Sequence, residues 1–310
     1  IRDRPYNATA NNMPTRGRFS PFLFKGMTFS TGGYSAEYGE ALSSVLLMNT
    51  TDEADEERTD ISIMTVGLGL GKTQKWGNSS LSYNASYLNL QPYQWVVPQN
   101  VKWNKPYQTL SGETVYRYKT TNGLLKVYAA FDRSDFDLDQ NDVNEPTPVR
   151  TDIVNDNFYF NTSYKAMFGT QWTLNTGVGY GYSHNNIGLN LDRLTNAENS
   201  AHLKVKLTKG FSSRFKLSFG ADHFITDFTE KYAESGSADY TSGYDNGVSA
   251  AYAEGDFAFS KNFAMKAGAR ATYSSVIGQG VVEPRVALAY KLGKICLLYT
   301  SDAADEGLGV

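Results

Sequence analysis

The chain has 310 residues, a formal net charge of −3 and 20% charged residues, a balance that exerts no electrostatic pull toward nucleic acid. Aromatic residues make up 14%, with 21 Tyr and 17 Phe beside 28 Gly, a mixture that favours strands because rings fit a pleated surface and glycine leaves room between them. No run of about 18 apolar residues occurs, which excludes a helix spanning a bilayer. A membrane barrel stays open, since its strands are apolar only at alternate positions, and a mean hydropathy of −0.42 does not separate it from a water-soluble protein.

Ile1 opens the chain without Met, and no charged n-region, apolar core and cleavage site follow it, so a secretory signal is expected to be either absent or in missing upstream sequence. Residues 1–58 hold no stable period. They begin with a stretch rich in Pro, Asn and Arg, "RDRPYNATANNMPTRGRFSPF", and continue into "TGGYSAEYGEALSSVLLMNT" at 31–50. The glycines there permit tight backbone turns where a β-carbon would clash. The apolar run Val45, Leu46, Leu47 and Met48 predicts a buried strand, and the acidic "TDEADEER" after it a solvated linker.

From residue 59 to residue 294 one pattern repeats: a stretch of alternating character, a connection, then another stretch. Period two predicts strands. In "QWTLNTGVGYGYSHN", Trp172, Leu174, Thr176, Val178, Tyr180 and Tyr182 share one face, while small and polar residues take the other. Leu203, Val205 and Leu207 likewise oppose Lys204 and Lys206; Phe215, Leu217, Phe219 and Ala221 oppose Lys216, Ser218, Gly220 and Asp222. Further such stretches surround Leu81, Met265 and Val286, for roughly eleven strands of the length a tilted strand needs to cross a bilayer, about 9 to 11 residues or more. Short connections at 72–78, 120–123, 168–171, 208–213 and 260–262 alternate with long ones at 89–112, 133–152, 185–199 and 226–245. Sorting of turns to one side and loops to the other is expected of an outer-membrane barrel. A lipocalin-like soluble barrel or a β-sandwich binding protein is the other reading.

The last segment, "CLLYTSDAADE" at 296–306, looks like the translation of a sequencing-library adapter, so 295–310 is set aside as a non-native tail, with a natural frayed tail as the alternative. It holds Cys296, the one cysteine, so disulfides and thiolate metal sites are not expected. The fold class that follows is all-β: an antiparallel transmembrane β-barrel, partial because single-chain bacterial barrels have even strand counts and this pattern stops part-way.

Gly32, Gly33, Tyr34, Ala36, Glu37, Tyr38 and Gly39, with Ala41, Leu42, Ser43 and Val45, resemble the "GG-x-x-AEYG-x-ALS-x-V" close of the plug domain in TonB-dependent outer-membrane receptors of Bacteroidetes-like bacteria. "AYAEGD" (251–256), "AGAR" (267–270) and "EPRVALAY" (283–290) resemble barrel phrases of the same family. The resemblance implies that 1–58 is the end of a plug and its linker and that 59–294 is part of the barrel it stoppers. It further implies active import of a scarce nutrient driven by TonB, with the TonB complex, outer-membrane lipid and a ligand such as an iron chelate, oligosaccharide or peptide as partners, and no nucleic acid. The plug close departs from the "YG-x-R-G-x-x-G" phrase of glycan importers, so a glycan gains no special support. A plugless passive porin or adhesin barrel is the alternative function.

No catalytic motif stands out, and neither an enzyme nor a cofactor is expected. Gly67, Gly69, Gly71 and Gly177, Gly179, Gly181 alternate within strands, unlike a phosphate loop, which needs a strand, a turn and then a helix. Asp135, Asp137 and Asp139 open a calcium-like loop at 135–145, but Gln140 and Pro146 replace its Gly and bidentate Glu, leaving a looser calcium site or a solvated acidic loop. His184, His202 and His223 lack partners at ligand spacing and are read as structural or lumen-facing. Tyr93, Trp95, Trp103 and Tyr107, in a Pro-stiffened loop, are the candidate substrate contacts, or else interface girdle residues. Arg270, Glu283 and Arg285 are expected to line the lumen and face the plug.

Overall fold

Alternating side chains let one long antiparallel ladder separate two chemistries onto two faces. The computed structural model describes residues 23–30, 32–39, 45–54, 56–98, 101–141, 146–292 and 295–302, with the backbone alone for Met27, Leu292 and 295–302. Strands β1 (Phe24–Ser30) and β2 (Val45–Thr50) pair as a two-stranded sheet. The remaining strands form a 13-stranded antiparallel sheet in strict chain order. They are β3 (Arg58–Met64), β4 (Gly67–Trp76), β5 (Ser79–Asn89), β6 (Lys102–Lys119), β7 (Gly123–Gln140), β8 (Val149–Phe168), β9 (Trp172–Leu189), β10 (Asp192–Ser212), β11 (Phe215–Ala233), β12 (Tyr240–Ala258), β13 (Phe263–Ser274), β14 (Gln279–Leu292) and β15 (Ile295–Asp302). Helix α1 (Gln91–Val96) is a single turn with Pro92 near its start. Among the described residues the sheet is open, with β3 and β15 at its edges.

The ladder extends further than the alternation suggests. Twelve strands, β3 to β14, stand where roughly eleven are expected, and β15 falls within the stretch set aside as a tail. The long connections expected at 133–152, 185–199 and 226–245 are largely strand: β9 and β10 turn over at 190–191, and only 90–101, 141–148 and 234–239 remain as longer links. The cause is solvation. At about 3.3 Å per residue the 21 residues of β10 extend about 70 Å, and tilted they still exceed an apolar layer of about 30 Å. Beyond that layer the outward face turns polar, as with Asp135, Asp137 and Asp139 beside the buried Phe136 and Leu138 of β7, so the apolar-outward alternation ends while backbone pairing continues. Asn190, at φ 56°, makes the tight turn between β9 and β10, a backbone region asparagine tolerates, and its Oδ1 accepts a bond of 2.9 Å from the Arg150 N–H.

Register places Val178, Leu203 and His223 side by side, and likewise Thr176, Val205 and Ala221, on one face of β9–β11. That face is apolar and uncovered: Leu203 is 51% exposed, Ile225 50% and Leu68 58%. The opposite face carries Arg117, His202, Glu254, Arg270 and Arg285, all buried. Burial there comes from the N-terminal residues. Leu23 packs in a cluster with Val115, Tyr128 and Ala130, and Phe24 meets the Tyr128 ring edge-on at 5.9 Å. Leu203 and Phe219 are thus not stacked against a second sheet, since the β1–β2 pair belongs to the other side. An apolar band of this extent is not stable against water.

Leu203→Arg is expected to destabilise the chain folded in lipid vesicles by about 2 to 4 kcal/mol. Ser200→Arg, on the opposite face and away from the middle of the band, should cost less. Denaturant unfolding of both variants in vesicles measures the difference.

Candidate functional site

The turn at 32–39 lies against the charged face of β10–β14. Gly33 at φ 63° lets the chain enter the turn, and the Tyr38 N–H donates to the Ser35 carbonyl at 3.0 Å. Ser35 Oγ donates to Glu254 Oε1 at 2.8 Å, and the Ala36 N–H donates to Glu254 Oε2 at 2.7 Å. One carboxylate therefore holds two adjacent residues of the turn. Glu37 lies between two lysines of β10, with Lys204 Nζ at 2.5 Å from Oε1 and Lys206 Nζ at 2.5 Å from Oε2.

Two arginines complete the site. Arg270 is fixed by a two-pronged pairing with Asp222, 2.9 Å on each side, and its Nη1 donates to the Glu37 carbonyl at 3.2 Å. Arg285 donates from Nη1 to the Ser35 carbonyl at 3.0 Å and to the Tyr38 carbonyl, and from Nη2 to Glu283 at 2.8 Å. Its guanidinium lies 5.2 Å from the Tyr34 ring, and Lys204 Nζ lies 5.0 Å from the Tyr38 ring. A planar fork already fixed by a carboxylate offers donors to backbone carbonyls with little further loss of freedom. Gly39 is required by this approach: a β-carbon there would stand 2.7 Å from Arg270 Nε.

Burial pushes the Glu37 carboxyl up, but Lys204 and Lys206 outweigh it and bring it down to about 2. A buried charge of this kind is tolerable only with matched partners. A second contact lies below, on the acidic linker. Arg117 donates from Nε to the Thr51 carbonyl at 2.7 Å and from Nη2 to Thr51 Oγ1 at 2.5 Å. Lys126 pairs with Asp52 at 2.8 Å, Lys25 also pairs with Asp52, and Lys119 pairs with Glu53. Partial burial raises the Asp52 carboxyl, and Lys126 and Lys25 reverse this to about 2.

The anticipated plug motif and charges thus meet: Gly33, Tyr34, Ala36, Glu37, Tyr38 and Gly39 come together with Arg270, Glu283 and Arg285, while Gly32 accepts a 2.7 Å bond from Ser30 Oγ at its carbonyl. Ala41, Leu42 and Ser43 lie outside the described residues. Lys204, Lys206, Asp222 and Glu254 were not singled out from the sequence. Their signal was the same-face spacing of the lysines and the Glu within "AYAEGD", but nothing local named their partners.

The aromatic candidates divide. Trp103 and Tyr107 sit on β6 around Phe136, at ring distances of 6.0 and 6.3 Å, and Tyr107 is buried in the wall. Tyr93 and Trp95 are exposed on α1, Trp95 at 76%. Asp135, Asp137 and Asp139 lie on strand β7 rather than in a loop, paired with Lys105 at 2.6 Å, Arg150 at 2.6 Å and Lys102 at 3.0 Å; residues 142–145 lie outside the described residues. His202 is buried, 3.9 Å from Asp222, whereas His223 is on the apolar face, bonded to Ser249 at 2.9 Å, and the register places His184 on that same face. Outward placement of these two departs from the lumen-facing alternative and leaves the structural one, because their parity follows Phe219 and Tyr182.

No protein-family model matches the sequence, and no curated protein matches it. Solved structures do match. The pyoverdine outer-membrane receptor FpvA from Pseudomonas aeruginosa PAO1 superposes with a TM-score of 0.69 at 11% identity, covering 90% of this chain and 51% of that one. The alcaligin outer-membrane receptor FauA from Bordetella pertussis gives 0.65 at 11% identity, covering 88% and 48%. The ferric enterobactin receptor PfeA from P. aeruginosa gives 0.61 at 12%, covering 90% and 48%. The fold is that of an outer-membrane receptor barrel. The chain spans about half the length of these structures.

In a barrel of this kind, the 32–39 turn is held to the inner wall by charge and backbone bonds together. Because the Glu37 carboxyl titrates below its ordinary 4.5, its contribution to docking is complete above that pH and is lost as pH falls toward about 2. Hydrogen exchange of the amides at 32–39 should therefore show full protection at pH 5 to 8 and accelerated opening below about pH 4. Glu37→Gln should weaken the docking by up to about 3 kcal/mol at neutral pH and remove this pH dependence.

Proposed function

We propose that the chain is part of a TonB-dependent outer-membrane receptor, of the Bacteroidetes-like kind its plug motif resembles, and that it takes part in active import of a scarce nutrient. Residues 1–58 are the end of the plug and its linker, and 59–294 a portion of the barrel. The observation that carries this reading is the docking of Ser35, Ala36 and Glu37 on Glu254, Lys204 and Lys206, a stopper segment ion-paired to the inner wall of a barrel whose outer face is apolar. A passive porin has no need to devote buried charges to an inserted segment. The barrel residues catalyse nothing in this reading; they hold the plug and pass the ligand.

An iron chelate is the ligand class we favour, since one matched structure is a receptor for ferric enterobactin. Trp95 and Tyr93, exposed on α1 at the loop end, are the proposed ligand contacts among the four aromatic candidates, with Trp103 and Tyr107 supporting them from the wall. TonB engages through a part of the receptor other than the barrel strands described here, and the energy it delivers must overcome the docking contacts of residues 32–39.

Cells that express the complete reading frame should take up a labelled ferric chelate only while the inner membrane is energised. A protonophore should abolish that uptake, and Trp95→Ala should weaken chelate binding several-fold, as expected from a lost aromatic contact. Uptake that continues unchanged with the proton gradient collapsed would favour the passive porin.

A further inference from the structure

The two rims of the sheet treat their cations differently. At the loop end, the outward-facing cations are matched to acids: Arg133 to Asp156 at 3.2 Å, Arg150 to Asp137 at 2.6 Å and Arg193 to Asp152 at 3.5 Å. At the short-turn end, on β8–β14, Asp256 is the one acid within four residues of the turns, and Lys266 lies 3.8 Å from it and 3.5 Å from Glu254. Lys209, Arg214 and Lys261 occupy this end, and none of them makes an ion pair among the described residues. Arg214 and Lys261 are exposed in the turns at 213–214 and 259–262, while Lys209 donates to the Thr170 carbonyl at 2.5 Å and lies 5.2 Å from the Trp172 ring.

These cations border a continuous aromatic belt on the outward face. Phe211 and Phe215 stack at 5.3 Å, Phe215 and Phe257 at 4.8 Å, and Phe259 and Phe263 at 5.3 Å, with Phe211 and Phe259 more than half exposed. Aromatic belts lie at the level of lipid headgroups, where ring bodies meet hydrocarbon and polar tips meet water. Uncompensated cations at that level face phosphate.

Resting on the outer-membrane reading, we propose that the short-turn rim formed by Lys209, Arg214 and Lys261 binds the phosphates of anionic phospholipid headgroups. The loop-end rim, with its cations already paired, lacks this affinity. The acidic linker does not compete for the surface, since Asp52 and Glu53 are engaged on the other side of the sheet by Lys126 and Lys119.

The test offers the detergent-solubilised chain an equimolar mixture of phosphatidylglycerol and phosphatidylcholine and measures retained lipid by mass spectrometry. The expected result is an excess of phosphatidylglycerol that falls about five-fold per cation removed in the series Lys209→Gln, Arg214→Gln and Lys261→Gln, and that shrinks with added salt. The combined loop-rim variant Lys102→Gln, Lys105→Gln and Arg150→Gln should keep the excess, which also controls for general loss of positive charge. Far-UV circular dichroism of each variant confirms the strand content. Equal retention of both lipids by the parent chain, or equal loss in the loop-rim variant, overturns the proposal while leaving the barrel reading intact. Retention of no lipid, with the chain staying soluble once detergent is removed, overturns both.

Discussion

The structure depends on a single requirement: a backbone placed where water is absent must find every hydrogen-bond partner within its own sheet. A strictly consecutive antiparallel ladder meets it without crossovers for the strands between the two edges, β3 and β15, and each strand then shows one side chain in two to each environment. Leu203 faces outward and Lys204 inward for no reason beyond their parity. Once that parity is set, composition sorts itself, with Val, Leu, Phe and Tyr collecting on one face and the Lys, Asp, Glu and Arg of β10–β14 on the other.

The charged face creates a second requirement, since ions removed from water need partners. Some are met within the wall, as in the Arg270–Asp222 pair. The rest are met by the N-terminal segment: Glu37 answers Lys204 and Lys206, and the carbonyls of Ser35 and Tyr38 answer Arg285. The arrangement is reciprocal, because Glu254 in turn takes the Ala36 N–H and the Ser35 hydroxyl. Neither side is satisfied alone. A segment held this way is specific in register, yet each contact is polar and can be exchanged for water.

The polar strand extensions follow a different logic. Above the apolar band, Asp135, Asp137 and Asp139 pair across strands with Lys105, Arg150 and Lys102 on a surface where solvent screens them, so each pair adds little stability. Their effect is to continue the ladder where the outward face is polar, while the inward face carries the buried Phe136 and Leu138. Below, the aromatic belt and the linker contacts of Arg117 and Lys126 end the band more abruptly, and the turns are short.

Much of the fold was legible in the sequence, because a period of two is a local property: Trp172 to Tyr182 and Phe215 to Ala221 announce their faces without reference to any neighbour. The composition of the 31–50 segment and the charges Arg270, Glu283 and Arg285 could be marked as noteworthy for the same reason. What local pattern could not decide was extent and partnership. Strands continue through 185–199 because backbone pairing outlasts hydrophobic alternation, and only the assembled ladder shows it. Glu37 meets Lys204 and Lys206 across a separation of well over a hundred residues, and such a pairing is set by where the wall curves past the turn, which no residue in either segment encodes alone. Tyr107 and Trp95 look alike in sequence, but one is sealed in the wall beside Phe136 and the other stands exposed on α1, because burial is decided by what packs above a residue rather than by its identity.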